Sequence, residues 1–376
     1  MKIAIVVSDP TSGLLQYPVD LALCFRALGY DVCVLSWTTK GQNPDLYQRI
    51  QDTNTEYLTE MSLAVPFGLT ALLRGSIAKP KAGFELADIL VTFGPLTSWQ
   101  ARNYLKKGGI SVAMIEAMGH DNTSAWKPKL GALMLNRYAT HVGALCHLEK
   151  LRLQALGVLS EKIELIHNWL DFKRLAYQAE RLPHQSRDVF LTGLGLASNR
   201  KLLVCLASFQ PRKRQGQLIS VFAKLVNTFP EFDLVLAGGG EELARCKALA
   251  TSLGIENRVY FLGQLVNDDA MSLLSFSDVV VHCSVAETFG YSMVEPLYFE
   301  KPTVVTNIAI GYEMKRADIA EVVEPDDELA LLTGLTRVLT GGAVINDRVA
   351  RSRKFVTDNF EVTKIAQQIL GLAKHG

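Results

Sequence analysis

Two glutamates eight positions apart, Glu287 and Glu295, have the residue type and spacing to bind a hydroxyl-rich ligand. They lie in the segment SVAETFGYSMVEP (284–296), which follows the apolar run DVVVHC (278–283). In a parallel sheet, ligands bind just beyond the carboxyl ends of strands. Glu287 should precede a helix, with Glu295 about 6–9 Å further along the helix axis at 1.5 Å per residue. Carboxylates so placed can accept hydrogen bonds from two sugar rings.

The start of the same helix is suited to an anion. The backbone amides of Phe289, Gly290 and Tyr291 have no partner inside the first helical turn, and the helix dipole favours negative charge there. A phosphate on these amides, flanked by two hydroxyl-bearing rings, describes a nucleotide sugar. The alternative is structural: Glu287 is an acid favoured at a helix start, and Glu295 is a solvated surface acid.

A second segment, ASFQPRKRQG (207–216), places three consecutive cations after the apolar strand LLVCL (202–206). Arg212, Lys213 and Arg214 in a strand-to-helix loop can offset the charge of a pyrophosphate leaving group. The alternative is an ordinary solvated basic loop.

Taken together, these segments resemble those of the family 4 (GT4) retaining glycosyltransferases, which have the GT-B fold. The segment 284–296 resembles their Glu-x7-Glu signature. Three neighbours agree with the family in order: IHNWLD (166–171) resembles an Asn-Gly-x-Asp turn, with Trp169 in place of glycine, and VYFLG (259–263) and KPTVVT (301–306) resemble two of its strands. The chain is therefore identified as a member of this family.

The resemblance implies a role for each matched residue. Glu295 would bind the ribose hydroxyls of the donor, and Glu287 would bind a hydroxyl of the transferred sugar. Thr288, Phe289 and Gly290 would hold the diphosphate. The resemblance implies no metal ligand and no cofactor beyond the nucleotide-sugar co-substrate, which family frequency alone makes a UDP-sugar.

One position departs from the family's Arg-x4-Lys phosphate clamp. Lys213 matches the lysine, but Ser208 occupies the arginine position. Either Arg212 or Arg214 supplies the second cation, or donor affinity is weaker, or the activity has drifted. The sequence leaves these three possibilities open.

Two further candidates lie in the first half of the chain. His120 follows the strand ISVAMI (110–115), where the family often places a histidine facing the donor sugar, and we expect it to be catalytic. Gly13 lies in the first strand-to-helix loop, where the family has a glycine pair near the donor phosphate. An incidental loop histidine and an ordinary turn glycine are the alternatives.

Short β-branched runs alternate with segments of helical period along most of the chain, which predicts repeated βαβ units and parallel sheets. We expect an α/β fold with two Rossmann-like, doubly wound domains, which the resemblance to GT-B enzymes implies face a cleft. By the family resemblance, residues 1–171 would form the acceptor domain and 200–343 the donor-binding domain, with 172–199 as an interdomain connection. Residues 344–376 are predicted to be helices that pack back across both domains.

Composition limits the other possibilities. The formal charge is +1, from 39 Lys and Arg against 38 Asp and Glu, which gives no basis for binding nucleic acid. The six cysteines show no Cys-x-x-Cys pair and are expected to be buried thiols. No run is long enough to span a membrane, so we expect a cytoplasmic protein. The apolar segment 63–81 ends in positive charges and allows peripheral contact with the inner membrane face, although a buried helix is the alternative.

The run AGGGEEL (237–243) needs comparison with the dinucleotide-binding Gly-x-Gly-x-x-Gly loop. Leu243 replaces the third glycine, and Glu241 and Glu242 put negative charge where a pyrophosphate would sit, so a nicotinamide-dependent enzyme is disfavoured.

The resemblance thus implies a retaining, metal-independent hexosyltransferase that acts on a glycan, lipid-linked or small-molecule hydroxyl. A non-catalytic nucleotide-sugar-binding subunit and a GT-B nucleotide-sugar epimerase are the rival hypotheses.

Overall fold

The computed structural model describes residues 1–7, 16–36, 56–57, 80, 84–115, 126–170, 172–181 and 186–374. The described chain divides into two compact units. Unit 1 comprises Met1–Asp171 and Phe360–Gly376, and unit 2 comprises Phe172–Asn359. Residues 172–199, predicted to connect the domains, lie in unit 2, where they contain two helices.

Unit 1 contains a parallel sheet of seven strands in the order β3-β2-β1-β4-β5-β6-β7. The strands are β1 (Lys2–Val7), β2 (Asp31–Ser36), β3 (Glu56–Tyr57), β4 (Ala87–Phe93), β5 (Leu105–Ile115), β6 (His141–Ala144) and β7 (Ile163–Leu165). Its helices are α1 (Gln16–Ala27), α2 (Pro95–Ala101), α3 (Trp126–Tyr138), α4 (His147–Ala155) and, from the chain's end, α14 (Val362–Leu372).

The central strands of this sheet are apolar along nearly their whole length because helices cover both faces of a doubly wound sheet. In β4, four consecutive residues from Ile89 to Thr92 are buried. Trp169, which takes the place of the family's glycine, is fully buried in unit 1. Its large ring therefore contributes to packing, which accounts for the departure from the turn motif.

Unit 2 contains a parallel sheet of six strands in the order β10-β9-β8-β11-β12-β13. The strands are β8 (Lys201–Leu206), β9 (Phe232–Ala237), β10 (Val259–Gly263), β11 (Val279–His282), β12 (Thr303–Thr306) and β13 (Glu321–Val323). The helices are α5 (Phe172–Arg181), α6 (Arg187–Gly193), α7 (Gln215–Leu225), α8 (Leu243–Ser252), α9 (Asn267–Phe276), α10 (Tyr291–Tyr298), α11 (Gly311–Ala317), α12 (Glu328–Thr340) and α13 (Ala343–Phe360).

The strand order of unit 2 reverses between β8 and β11, which are hydrogen-bonded neighbours with Leu203 opposite Val279. Such a reversal opens a crevice at the carboxyl ends of the two strands, because the connections that follow them leave toward opposite sides. This crevice lies within unit 2 and receives both segments that the sequence singled out.

Helix α10 contains Pro296, which removes a backbone hydrogen bond at a cost of about 3 kcal/mol in a helix interior. Burial supports the helix, since Met293, Val294, Pro296 and Leu297 are all buried. The carbonyl of Leu297 also accepts a hydrogen bond from the Ser352 hydroxyl at 3.0 Å. Tertiary packing therefore outweighs the proline.

The prediction of six cysteine thiols is confirmed, and five of these residues are buried. Among the described helices, none alone is long and apolar enough to cross a membrane. Helices α12 and α13 meet that requirement only as a pair, and they are bent by 91° at their junction. The segment 63–81 lies outside the described residues apart from Pro80.

Candidate active site

Two loops meet at the strand-order reversal of unit 2: the loop after β8 (207–214) and the loop after β11 (283–290). Pro211 starts a single 3₁₀ turn, Pro211–Lys213, which continues into α7 after Arg214. The amide of Val285 donates to the carbonyl of Arg212 at 2.8 Å. The Cys283 thiol donates to the carbonyl of Lys213 at 3.3 Å. These two hydrogen bonds hold the loop 283–290 against the loop 207–214.

A cluster of charged side chains joins these loops. Lys213 Nζ donates to Glu287 Oε1, and Arg212 Nη1 lies 3.3 Å from Glu287 Oε2. The Lys213 and Glu287 side chains are only 10% and 9% exposed, whereas Arg212 is 44% exposed. Arg212 also donates to the carbonyl of Ala286 at 2.9 Å. Two cations therefore converge on one buried carboxylate at the mouth of the crevice.

Glu287 remains ionised in this setting. Burial by itself would raise the pKa of its carboxyl group, but a hydrogen bond from His282 and the charge of Lys213 outweigh burial. The net result is a pKa of Glu287 well below its ordinary value. The carboxylate can thus accept hydrogen bonds at any physiological pH.

His282 belongs to this cluster, and the sequence reasoning missed it. It ends β11, is 2% exposed, and places Nε2 at 3.3 Å from Glu287 Oε1. The sequence did contain a signal for this residue: a histidine ends an otherwise β-branched run at the carboxyl end of a strand. A buried polar side chain there needs a hydrogen-bond partner, which points to a nearby polar group.

Arg214, the other candidate for the second cation, has a different partner. Its backbone is left-handed with φ of 54°, and Nη2 donates to Asp326 at 3.0 Å. Arg214 and Asp326 line a cavity of about 520 Å³ between the starts of α7 and α12 and helix α8, and neither Lys213 nor Glu287 lines it. Arg212, in contrast, is in the cluster with Lys213.

Ser208, at the position of the family's arginine, is exposed. Its carbonyl accepts from Gln215 Nε2 at 2.9 Å. The chain beside it approaches the glycine-rich loop after β9 closely: a Cβ on Gly238 would lie 2.1 Å from the carbonyl oxygen of Ala207, and one on Gly240 would lie 2.3 Å from that of Phe209. The glycines therefore permit close packing of two backbones at the carboxyl edge of the sheet.

Helix α10 begins four residues after Glu287, the carboxylate of the cluster. Gly290, with φ of 97°, is the N-cap, so the helix begins at Tyr291. The Phe289 side chain is fully buried, and its carbonyl accepts from the amide of Ile310 at 3.3 Å. Thr288 and Glu295 are both partly exposed. Glu295 thus lies in the helix and Glu287 in the loop before it, as the spacing predicts.

Two predicted site residues, Gly13 and His120, lie outside the described residues, and their roles stay predictions. Among the residues that the structure describes, no group of three or more His, Cys, Asp or Glu side chains is arranged to hold a metal ion.

Comparison with known proteins gives a family and a fold. Residues 187–355 match the family "Glycosyl transferases group 1". N-acetyl-alpha-D-glucosaminyl L-malate synthase of Bacillus anthracis is 26% identical over 214 residues, which are 56% of this chain and 52% of the synthase. The chain thus spans about half the length of that relative. Phosphatidyl-myo-inositol mannosyltransferase of Mycobacterium leprae is 22% identical over 96% of this chain and 92% of its own.

The fold extends over the whole chain. The crystal structure of Anabaena Alr3699/HepE in complex with UDP and glucose covers 100% of both chains with a TM-score of 0.75 and 18% identity.

Fold and matches together define a two-domain GT-B protein, so the predicted fold class is confirmed. Residues 187–355 match the group 1 glycosyl transferases, and the resemblance to GT4 glycosyltransferases found in the sequence is confirmed.

Proposed function

We propose that the chain is a retaining glycosyltransferase that moves a hexose-type sugar from a nucleotide-diphosphate sugar to a hydroxyl of a glycan, a lipid-linked or a small-molecule acceptor. The observation that carries the proposal is the convergence of Lys213 and Arg212 on Glu287 at the strand-order reversal of unit 2. This is the place and the charge pattern that a sugar diphosphate requires.

UDP is the donor nucleotide that we propose. The structural neighbour Anabaena Alr3699/HepE has been crystallised with UDP and glucose. A second crystal structure of that protein contains UDP-glucose. Because the likeness is one of fold, the choice of UDP rests on this analogy and on the family's preference.

In the proposed reaction, Lys213 and Arg212 stabilise the departing diphosphate. The bond between the anomeric carbon and the phosphate oxygen breaks, and its electron pair stays on the diphosphate. The acceptor oxygen bonds to the anomeric carbon on the same face, and its proton passes to the diphosphate oxygen. Glu287 binds a hydroxyl of the transferred sugar, and Glu295 binds the ribose hydroxyls. No side chain of the cluster is required as a base.

Arg212 takes the role of the clamp arginine, whose position in this chain is occupied by Ser208. Its guanidinium is already beside Glu287, whereas that of Arg214 is bound to Asp326. The second cation is therefore supplied from the residue next to Lys213 instead of five positions before it.

Donor hydrolysis without acceptor tests the proposal. Phosphorus NMR follows the release of UDP from UDP-glucose, and proton NMR reads the anomeric coupling of the first glucose to appear. We expect slow release of UDP with glucose initially in the α configuration of the donor, lost in Glu287→Gln and retained in Glu324→Gln, an exposed control. Initial β-glucose would refute retention.

The same spectra distinguish the rival hypotheses. Nucleotide binding without hydrolysis would favour a non-catalytic nucleotide-sugar-binding subunit. Release of free UDP with a sugar altered at a ring carbon would favour an epimerase.

A further inference from the structure

His282 lies beneath the proposed sugar-binding carboxylate, and the reaction described above gives it no role. It closes β11 after three buried valines and is itself 2% exposed. Its Nε2 is 3.3 Å from Glu287 Oε1 and 3.5 Å from the hydroxyl of Ser284. A polar ring is costly at such a depth unless it makes a specific hydrogen bond.

The imidazole acts there as a neutral donor. Burial lowers the pKa of His282; Glu287 opposes this shift, and Lys213 and Arg212 reinforce it. A neutral imidazole carries one proton, and the ionised carboxylate can only accept, so the proton lies on Nε2. His282 Nδ1 is buried and has no hydrogen-bond partner among the described residues, as expected for the bare nitrogen of this tautomer.

The three donors to Glu287 differ in what else they must do. If the proposed function holds, Lys213 and Arg212 must also bind the diphosphate, and their long side chains allow them to turn toward it. Glu287 is 9% exposed, so losing both cations would leave a buried charge poorly compensated. His282 is fixed at the end of a central strand and cannot follow the phosphate.

We propose that His282 is the positioning residue that holds the Glu287 carboxylate while Lys213 and Arg212 turn to the donor diphosphate. The N–H of His282 keeps one oxygen of Glu287 in place, and the carboxylate stays oriented toward the sugar. Because the imidazole is neutral, it does not compete with the two cations for the phosphate. This inference rests on the proposed function of the same site.

The kinetic test compares His282→Leu, which removes the donor, with His282→Gln, which restores an N–H near the Nε2 position. Ser284→Ala is the matched control, because it removes only the 3.5 Å contact from a neighbouring buried residue. In donor hydrolysis, we expect His282→Leu to lower kcat at least tenfold while UDP affinity, measured by calorimetry, changes less than threefold. His282→Gln and Ser284→Ala should stay within threefold of wild type.

A wild-type kcat in His282→Leu, or a loss confined to UDP affinity, would overturn the positioning role. If His282→Leu does not fold, His282→Asn provides the comparison, because its shorter amide cannot reach Glu287 as the Gln side chain does. Wild-type UDP affinity is measured in parallel: absence of binding there would refute the proposed function and not the arrangement of His282.

A nuclear magnetic resonance measurement on the ligand-free protein tests the arrangement independently. The chain has seven histidines, so the signals of His282 are identified by their absence from His282→Gln. Long-range proton–nitrogen correlations should show a neutral ring with its proton on Nε2 throughout pH 6–8. A ring that gains a proton near pH 6.5, or that carries its proton on Nδ1, would contradict the proposal.

Discussion

The contact between Lys213 and Glu287 can be measured by a double-mutant cycle in protein stability. Removing one partner of a buried ion pair costs about 3–5 kcal/mol. Glu287 keeps Arg212 and His282 when Lys213 is replaced, so the lower end applies and Lys213→Met should cost about 3 kcal/mol. Glu287→Gln should cost about the same, because it leaves the ammonium group of Lys213 buried without a charged partner.

Replacing both partners removes the pair and leaves no buried charge. The double variant Lys213→Met/Glu287→Gln should therefore lose about 3–4 kcal/mol, well short of the sum of about 6, which gives a coupling free energy of about 2–3 kcal/mol. The control is Lys315 with Glu324, which are 3.1 Å apart and more than half exposed. Their coupling should be below about 1 kcal/mol.

Urea unfolding at pH 7 provides the free energies. Far-ultraviolet circular dichroism reports both units, because both contain helices. Tryptophan fluorescence reports unit 1 alone, because the four tryptophans are Trp37, Trp99, Trp126 and Trp169. The loss of stability in the Lys213 and Glu287 variants should therefore appear in the dichroism transition of unit 2. Free energies that add within about 0.5 kcal/mol would refute the buried contact.

Two further predictions concern the loops around the cluster. Gly238→Ala should destabilise unit 2 by about 4 kcal/mol or more, because the added Cβ would overlap the carbonyl of Ala207. In the control variant Gly239→Ala, the added Cβ meets only a side-chain atom at 3.8 Å, so stability should change little. Comparable melting temperatures of the two variants would contradict the close packing of Gly238 against Ala207. Arg212→Ala should weaken UDP binding about tenfold, or 1.4 kcal/mol, and Arg214→Ala less than threefold. Calorimetry with UDP, and with uridine as the control lacking phosphate, checks this, and the reverse order would assign the second cation to Arg214.

The alternation of strands and helices was predictable from the sequence because it depends on local periodicity. For example, the short β-branched runs at 232–237 and 302–306 form β9 and β12 to within one residue. Strand β13, only three residues long, was not predicted, since a period of two cannot be recognised over so short a run. Residues 344–376 were predicted to contain helices, but the position of the break between α13 and α14 at Glu361 was not predicted, because no glycine or proline marks it.

The candidate site was predictable only in part. The positions of Glu287 and Lys213 follow from their place just after strands, which the chain order reveals. Their contact joins residues 74 positions apart and depends on the order of strands in the sheet, which periodicity does not determine. Which arginine joins Lys213 in the cluster could not be predicted, because it depends on the left-handed backbone at Arg214 and on its contact with Asp326, far along the chain.

Calorimetric titration of UDP into the wild-type protein and Lys213→Met tests the central claim most directly, with Lys315→Met as an exposed-lysine control. Removing a charged hydrogen bond to phosphate should cost about 1.5–3 kcal/mol. We therefore predict that UDP binds the wild type and the control equally, and Lys213→Met at least tenfold more weakly. Equal affinity in all three proteins, or no binding to the wild type, would contradict a donor site built on Lys213 and Glu287.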